Sequence, residues 1–322
     1  MTVCSPNRYS CSGERPKTGP RAQLGEPQTI RSPTELRTSR LSIQIVFVKW
    51  GTRYPASWVN RHVRAVKKHA SCKVSFCCIT DETDSESFDN DVRVVPFPEF
   101  RAPLDYLKQG CRLKMAMFKQ GILQEGMPAL FLDLDSSFLG DVARVERHIS
   151  RYRGIHMLKS HWLPWWPIQK YVSPLNISPY YHANGSAIGF FPEDYYWLFD
   201  RFNNEVTGQP MESLPKTLRV DDRFTSYHCR ETLRVFPSHL ITKFSQEFMS
   251  PSLRLGRLRS SLPWIKRRRN KLVAISFPGL DLKPDEMVKL PVGAIVRHKR
   301  VKCEWQAGAL RDYWLNADDE AA

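Results

Sequence analysis

Two carboxylates separated by a single leucine stand in FLDLDSSFLGD, residues 131–141. Asp133 and Asp135 follow the apolar run Ala129 to Leu132, which has the composition of a buried strand. In extended backbone, residues i and i+2 point to the same side, so the pair would face one way and repel unless a cation lay between them. Carboxylate oxygens are hard ligands that suit Mg2+ or Mn2+, and a metal held by them can bridge the phosphates of a nucleotide. Asp133 and Asp135 are therefore the candidate metal ligands. A plainer alternative has Asp133 capping a helix and Asp135 solvated in a loop, which leaves the apolar run in front of them unexplained.

The elements that must position the pair are those of an α/β fold. LSIQIVFVKWG carries Ile43, Ile45, Val46, Phe47 and Val48 and closes on Gly51, as a strand buried on both faces would. From Pro55 to His69, Trp58, Val59, Val63 and Val66 recur at helical spacing, with Arg and Lys on the other face. KVSFCCITD (73–81) and VRVVPFP (92–98) are the next strands. Strand, helix, strand in this order is a βαβ unit, which predicts a mostly parallel twisted sheet with ligands at the carboxyl ends of its strands. CRLKMAMFKQGIL (111–123) has Leu113, Met117, Phe118 and Ile122 in helical register. Farther on, 185–192 is predicted as strand, EDYYWLFDRFNN as helix, DDRFTSYHC as a helix start and 271–279 as a late core strand. One α/β domain over 41–315 is expected, behind a disordered basic tail at 1–40 and ahead of a frayed end at 316–322.

Bulk composition narrows the function classes. The chain of 322 residues is 42% hydrophobic and 11% aromatic, so most of it should fold around a core. Its net charge of +15 calls for an anionic partner: nucleic acid, phosphate-bearing substrate or acidic membrane surface. The eight cysteines form no Cys-x-x-Cys pair, which favours a reduced, cytoplasmic setting over a disulfide scaffold. No apolar stretch reaches the length of a membrane span, and the first residues lack the apolar core of a signal peptide. The expected protein is soluble or attached to the inner face of a membrane. The segment 253–271 holds eight basic residues and no acid, interleaved with Leu255, Leu258, Leu262, Trp264 and Ile265, an amphipathic pattern that suits an anionic membrane surface.

Taken in order, VFVKWGTRYPASWVNRHVRAVKKH, KVSFCCITDE, LKMAMFKQGI and ALFLDLDSSFLGD resemble the GT-A-fold nucleotide-sugar glycosyltransferases, in particular bacterial relatives of the glycogenin and lipopolysaccharide galactosyltransferase group. The likeness runs from Ile43 to Glu286. It implies a GT-A-like single domain that moves a sugar from a nucleotide-sugar donor to a glycan or lipid-linked acceptor, with retention. By position, the resemblance implies that Trp50, Gly51, Tyr54 and Asp81 border the nucleoside. Lys114 would sit by the diphosphate, and Asp133 and Asp135 would hold Mn2+ or Mg2+. HANGSAIGFF points to Asn184 and Gly185 beside donor sugar and acceptor, and VDDRF puts Asp221 and Asp222 near the reacting sugar.

The sequence departs from the family at the end of the likeness. Where the family has Phe-His-Gly and then Lys-Pro, this chain has SFPGLDLKPDE, with Pro278 at the position of a metal-binding His. Gly279 and Lys283 remain as phosphate contacts, while His298, His182 or water would complete the metal shell. Asp222 stands in place of the family's Gln.

Three alternatives stay open. Apolar-Asp-x-Asp also opens haloacid dehalogenase-type phosphatases, with the first Asp as nucleophile, but there the motif begins its domain and is followed by Gly-Thr rather than SSFLGD. Nucleic-acid binding would account for the charge and leave the aspartate pair unused. A catalytically weak, transferase-like protein would account for Pro278. Of single features, Lys114 is by its pattern alone a solvated surface lysine, and WLPWWPIQKY (162–171) is either a sugar-stacking platform or a packed loop.

Overall fold

The computed structural model describes residues 41–160, 183–206, 208, 210, 213–214, 219–277, 279, 281–306 and 308–315. The expected tail at 1–40, the frayed end at 316–322, WLPWWPIQKY, His182 and Pro278 lie outside the described residues.

The apolar runs become the strands of a central sheet. β1 (Ser42–Lys49) pairs in parallel with β2 (Lys73–Thr80), and β2 with β3 (Val92–Pro96). On its other side β1 pairs in parallel with β4 (Ala129–Leu132), in the register Ile45 to Leu130 and Val46 to Phe131. After β5 (Ser136–Phe138) come β6 (Ile155–Lys159), β7 (Ala183–Phe190) and β8 (Leu233–Val235). The seven-stranded order is β3-β2-β1-β4-β7-β6-β8, and β7 alone runs antiparallel to its neighbours. The mostly parallel α/β architecture read from the sequence is the one observed.

Period-two alternation sends the side chains of β1 to two cores. Ile43, Ile45 and Phe47 pack under the helix Ala56–His69, and Val46 and Val48 pack on the opposite face against the segment that contains Leu113 and Met117. Burying one such side chain stabilises the fold by roughly 1.5–3 kcal/mol. Two-sided burial is why these strands read as continuous apolar runs. A third core lies around a small sheet of β5, β10 (Ala274–Ser276) and β9 (Ile241–Lys243), backed by the hairpin β11 (Ile295–His298) and β12 (Val301–Glu304).

Two expected elements differ. The strand expected over 271–279 is shortened to Ala274–Ser276. The segment expected as an α-helix from Cys111 is a 3-10 helix, Gln109–Phe118, with left-handed backbone at Gly110 (φ 63°) and Cys111 (φ 57°). Gly110 lies so close to the chain that a Cβ there would stand 2.2 Å from the Arg219 carbonyl oxygen. Pinned at that point, the segment winds tightly and buries every residue from Arg112 to Phe118.

Candidate active site

The carboxyl ends of β1, β2 and β4 meet at one edge of the sheet, where a cavity of about 420 Å³ opens between Trp50, Tyr54, Lys114, Asp133, Asp135 and Lys283. Gly51, just past β1, adopts φ 60° and donates its N–H to both carboxylate oxygens of Asp81, just past β2, at 3.0 and 3.1 Å. This bond fixes the loop that carries Trp50, Arg53 and Tyr54 over the cavity.

Asp133 and Asp135 do not lie in extended backbone as the sequence suggested. They stand in a tight turn between β4 and β5, closed by the Ser136 N–H donating to the Asp133 carbonyl at 3.0 Å. The Asp133 N–H donates to Ser186 on β7 at 3.0 Å, and both side chains still face the same cavity. The turn holds its shape partly through a residue that the sequence reading missed. His62, fully buried in the helix Ala56–His69, places Nε2 at 2.9 Å from the carbonyl of Leu134, between the two aspartates. A carbonyl can only accept, so Nε2 carries the proton and Nδ1 accepts from the hydroxyl of Tyr313. Burial lowers this imidazole to about 3, and it stays neutral. The signal was present in the sequence: Val59, His62, Val63 and Val66 occupy one helical stripe, and a histidine on an apolar stripe needs polar partners inside.

Each aspartate has its own lysine. Lys114 is no surface residue, with a side chain only 7% exposed. Its ammonium lies 2.5 Å from Asp133 and 3.8 Å from Asp221. Burial works against its charge, but the carboxylates of Asp133 and Asp221 outweigh burial and hold its pKa well above the usual lysine value. Lys283, just ahead of the short helix Pro284–Met287, forms an ion pair with Asp135 and donates to the Tyr54 hydroxyl at 3.2 Å. The Tyr54 hydroxyl stands 3.4 Å from the same Asp135 oxygen. Burial, with the nearby Asp133 charge, raises the Asp135 carboxyl, and Lys283 opposes the shift.

Behind the cavity wall lies a second acidic pair. At a register shift between β6 and β7, Leu158 pairs with Asn184 while Met157 pairs with Ile188, so Gly185, Ser186 and Ala187 form a bulge. Bulges of this kind re-aim side chains beside functional sites. Asn184 donates Nδ2 to Asp222 at 3.3 Å, and a Cβ on Gly185 would stand 2.7 Å from an Asp221 oxygen. Asp221 opens the helix Asp221–His228, and its buried carboxyl reaches the cavity through Lys114. Burial raises its pKa to about 7, with Lys114 opposing the shift and Asp222 adding to it. Lys243, a further residue absent from the sequence reading, is buried near Asp222 and Asp133, and burial pushes its pKa down to about 8.

Gly279 and Lys283 both line the cavity. His298 does not. It packs behind Gly279, whose added Cβ would meet its ring at 3.0 Å, and faces Asp281 at 3.4 Å. Among the described residues no group of three or more His, Cys, Asp and Glu side chains converges. Asp133 and Asp135 nevertheless fit a divalent cation. Asp135 Oδ1 is buried without a hydrogen-bond partner among the described residues, and Asp133 is open to the cavity. Mg2+ in particular is held by one or two carboxylates and completes its shell from water and substrate phosphates.

This sheet order, with a carboxylate-bearing turn at its carboxyl edge, is a GT-A-like fold. It is similar to the galactosyltransferase LgtC in complex with donor and acceptor sugar analogs, with a TM-score of 0.51 and 12% identity over 75% of this chain and 88% of that one. It is also similar to the apo structure of the bifunctional glycosyltransferase WbbM, with a TM-score of 0.52 and 12% identity over 87% of this chain. That match covers 50% of the WbbM chain, so the present chain corresponds to about half of it. At such identity the likeness is one of fold. No protein-family model and no curated protein sequence matches the chain.

Proposed function

We propose that this chain is a metal-dependent glycosyltransferase that moves a hexosyl group, with retention, from a nucleotide-sugar to a glycan or lipid-linked acceptor. The observation that carries the reading is the convergence of Asp133, Asp135, Lys114 and Lys283 on one cavity at the carboxyl edge of a GT-A-like sheet. Trp50 and Tyr54 offer flat faces for the nucleoside, on a loop that Asp81 holds through Gly51. Asp133 and Asp135 would hold Mn2+ or Mg2+, which supplies positive charge against the charge that builds on the departing diphosphate. Lys283 lines the cavity beside Asp135, and its ammonium would serve as a contact for a phosphate oxygen if Asp135 held the metal. Lys114 and Gly279 border the same diphosphate, Asn184 and Gly185 the donor sugar. Asp221 and Asp222 hold Lys114 and Asn184 in place from behind.

The test is release and transfer of sugar from a panel of nucleotide-sugars by the wild type and by Asp135→Ala, with Mn2+ and with a chelator. Turnover that needs both Mn2+ and Asp135 is the expected result. Equal rates in all four conditions would overturn the metal role, and no turnover or thermal shift with any nucleotide-sugar would overturn the reading as a whole. The phosphatase alternative gains nothing from the structure: β4 is the fourth strand of its sheet in chain order, not the strand that opens the domain.

A further inference from the structure

The helix Leu253–Ser261 turns two of its three leucines, Leu255 and Leu258, away from the protein. An amphipathic helix of a globular protein turns its leucines to the core. Here Leu253, Gly256 and Ser260 face inward, over a cavity of about 290 Å³ walled by Phe244 and Phe248. Leu255 and Leu258 point to solvent, 54% and 61% exposed, and no residue of the helix is buried. On the next helix, Pro263–Arg269, Trp264 is 64% exposed, the largest exposure of any big apolar side chain in the described chain. Water does not favour such an arrangement, since each of these side chains would gain by leaving it.

The seven basic residues on these two helices divide into two sets. Arg268 and Arg269 turn inward to the buried carboxylate of Glu247, at 2.7 and 3.1 Å, Arg259 lies 3.8 Å from it, and Arg257 pairs with Glu304. These pairs clamp the two helices to the third core. Arg254, Lys266 and Arg267 remain exposed beside Leu255, Leu258 and Trp264 and form no ion pair among the described residues. The outward face therefore presents three large apolar side chains and three cations, with no acid between them.

We propose that this face docks on an anionic lipid bilayer, with Leu255, Leu258 and Trp264 in the headgroup–acyl boundary and Arg254, Lys266 and Arg267 against lipid phosphates. Apolar insertion combined with cationic contact is the chemistry of an interfacial helix. A nucleic acid would use the cations and leave both leucines in water. The inference is independent of whether the cavity beside Asp133 transfers sugar, and its test reads binding alone.

The experiment is co-sedimentation of the full chain with phosphatidylcholine vesicles and with vesicles that contain phosphatidylglycerol. The expected result is partition onto the anionic vesicles at least about tenfold above the neutral ones at low salt. Leu258→Asp/Trp264→Asp should lose about tenfold or more of that binding at any salt. Lys266→Ala/Arg267→Ala should lose binding at low salt and approach the wild type at high salt, where screening has removed the cationic contribution. Circular dichroism and thermal unfolding report that the variants are folded. Wild-type binding that ignores lipid charge would overturn the proposal. So would a Leu258→Asp/Trp264→Asp variant that sediments like the wild type, or displacement of the wild type from vesicles by RNA.

Discussion

Lys283 and Asp135 lie 148 residues apart in the chain and form an ion pair at the floor of the cavity, with side chains only 14% and 8% exposed. The contact ties the short helix Pro284–Met287, the last helix before the hairpin of β11 and β12, to the turn that follows β4. It also means that the aspartate pair is balanced by the chain itself, one lysine to each carboxylate.

Removing one partner of a buried pair leaves the other charge without compensation, at a cost of about 3–5 kcal/mol. Lys283→Met should therefore destabilise the fold by an amount of that order, measured by urea unfolding at neutral pH. Adding Asp135→Asn to that variant should recover much of the loss, because the stranded charge is gone. A double-mutant cycle with no coupling would show that the pair contributes nothing to stability.

Asp221 gives the fold a pH dependence of definite sign. Its folded pKa of about 7 lies above the unfolded value of about 3.9, so the folded protein binds this proton more tightly. The stability due to this group is complete below about pH 4 and falls as pH rises to about 7, because there the native state holds more protons than the unfolded state. In Asp221→Asn this fall disappears. Urea unfolding of both proteins across that window should show the difference between them changing by a few kcal/mol, at about 1.4 kcal/mol per pKa unit. Parallel curves would refute the assignment.

The parallel sheet was legible because two-sided burial writes itself as unbroken apolar runs, as in Ile43–Val48 and Phe76–Ile79. The aspartate pair was legible by residue type and by its place after a strand. The backbone there was not: Asp133 and Asp135 meet through a turn, and strand periodicity gives the same facing for a different reason. Lys114 reads as a surface lysine by residue type alone, and its burial follows from the tight 3-10 winding of Gln109–Phe118, which no local pattern announces. The left-handed backbone at Cys111, and the contact of Gly110 with Arg219 that accompanies it, depend on a segment that begins more than a hundred residues later. The pairings of Lys114 and Lys283 are likewise tertiary facts, set by which strand ends lie side by side.

Gly185 is required by space rather than by backbone conformation. An alanine there would bring its Cβ to 2.7 Å from an Asp221 carboxylate oxygen and 3.2 Å from the Asp222 Cβ, well inside normal contact. Gly185→Ala should push Asp221 away from Lys114 and cost about 1–3 kcal/mol, the usual range for an overpacked interior. The melting temperature should fall. If the proposed function holds, sugar transfer should fall more steeply than donor binding, since the Trp50 and Tyr54 side of the cavity is untouched. Wild-type melting and turnover would show that Asp221 can move without consequence.

His62 supplies the opposite slope to Asp221, and the two can be separated by substitution. Burial lowers this imidazole to about 3 against about 6.5 in an unfolded chain, so acid favours the unfolded state, which takes up the proton first. The contribution is complete above about pH 6.5 and is lost progressively as pH falls toward about 3. A glutamine in its place does not titrate and carries both a donor for the Leu134 carbonyl and an acceptor for the Tyr313 hydroxyl. His62→Gln should lose about 1–3 kcal/mol at neutral pH through imperfect geometry, yet lose less further stability on acidification than the wild type. His62→Phe has neither group and leaves the Leu134 carbonyl buried without a donor. It should be less stable than the glutamine variant at every pH and should loosen the turn that presents Asp133 and Asp135. Thermal unfolding over the acid range, followed by Mn2+ titration of each folded variant, checks both parts. An acid limb in His62→Gln as steep as the wild type would move the origin of acid lability to another group.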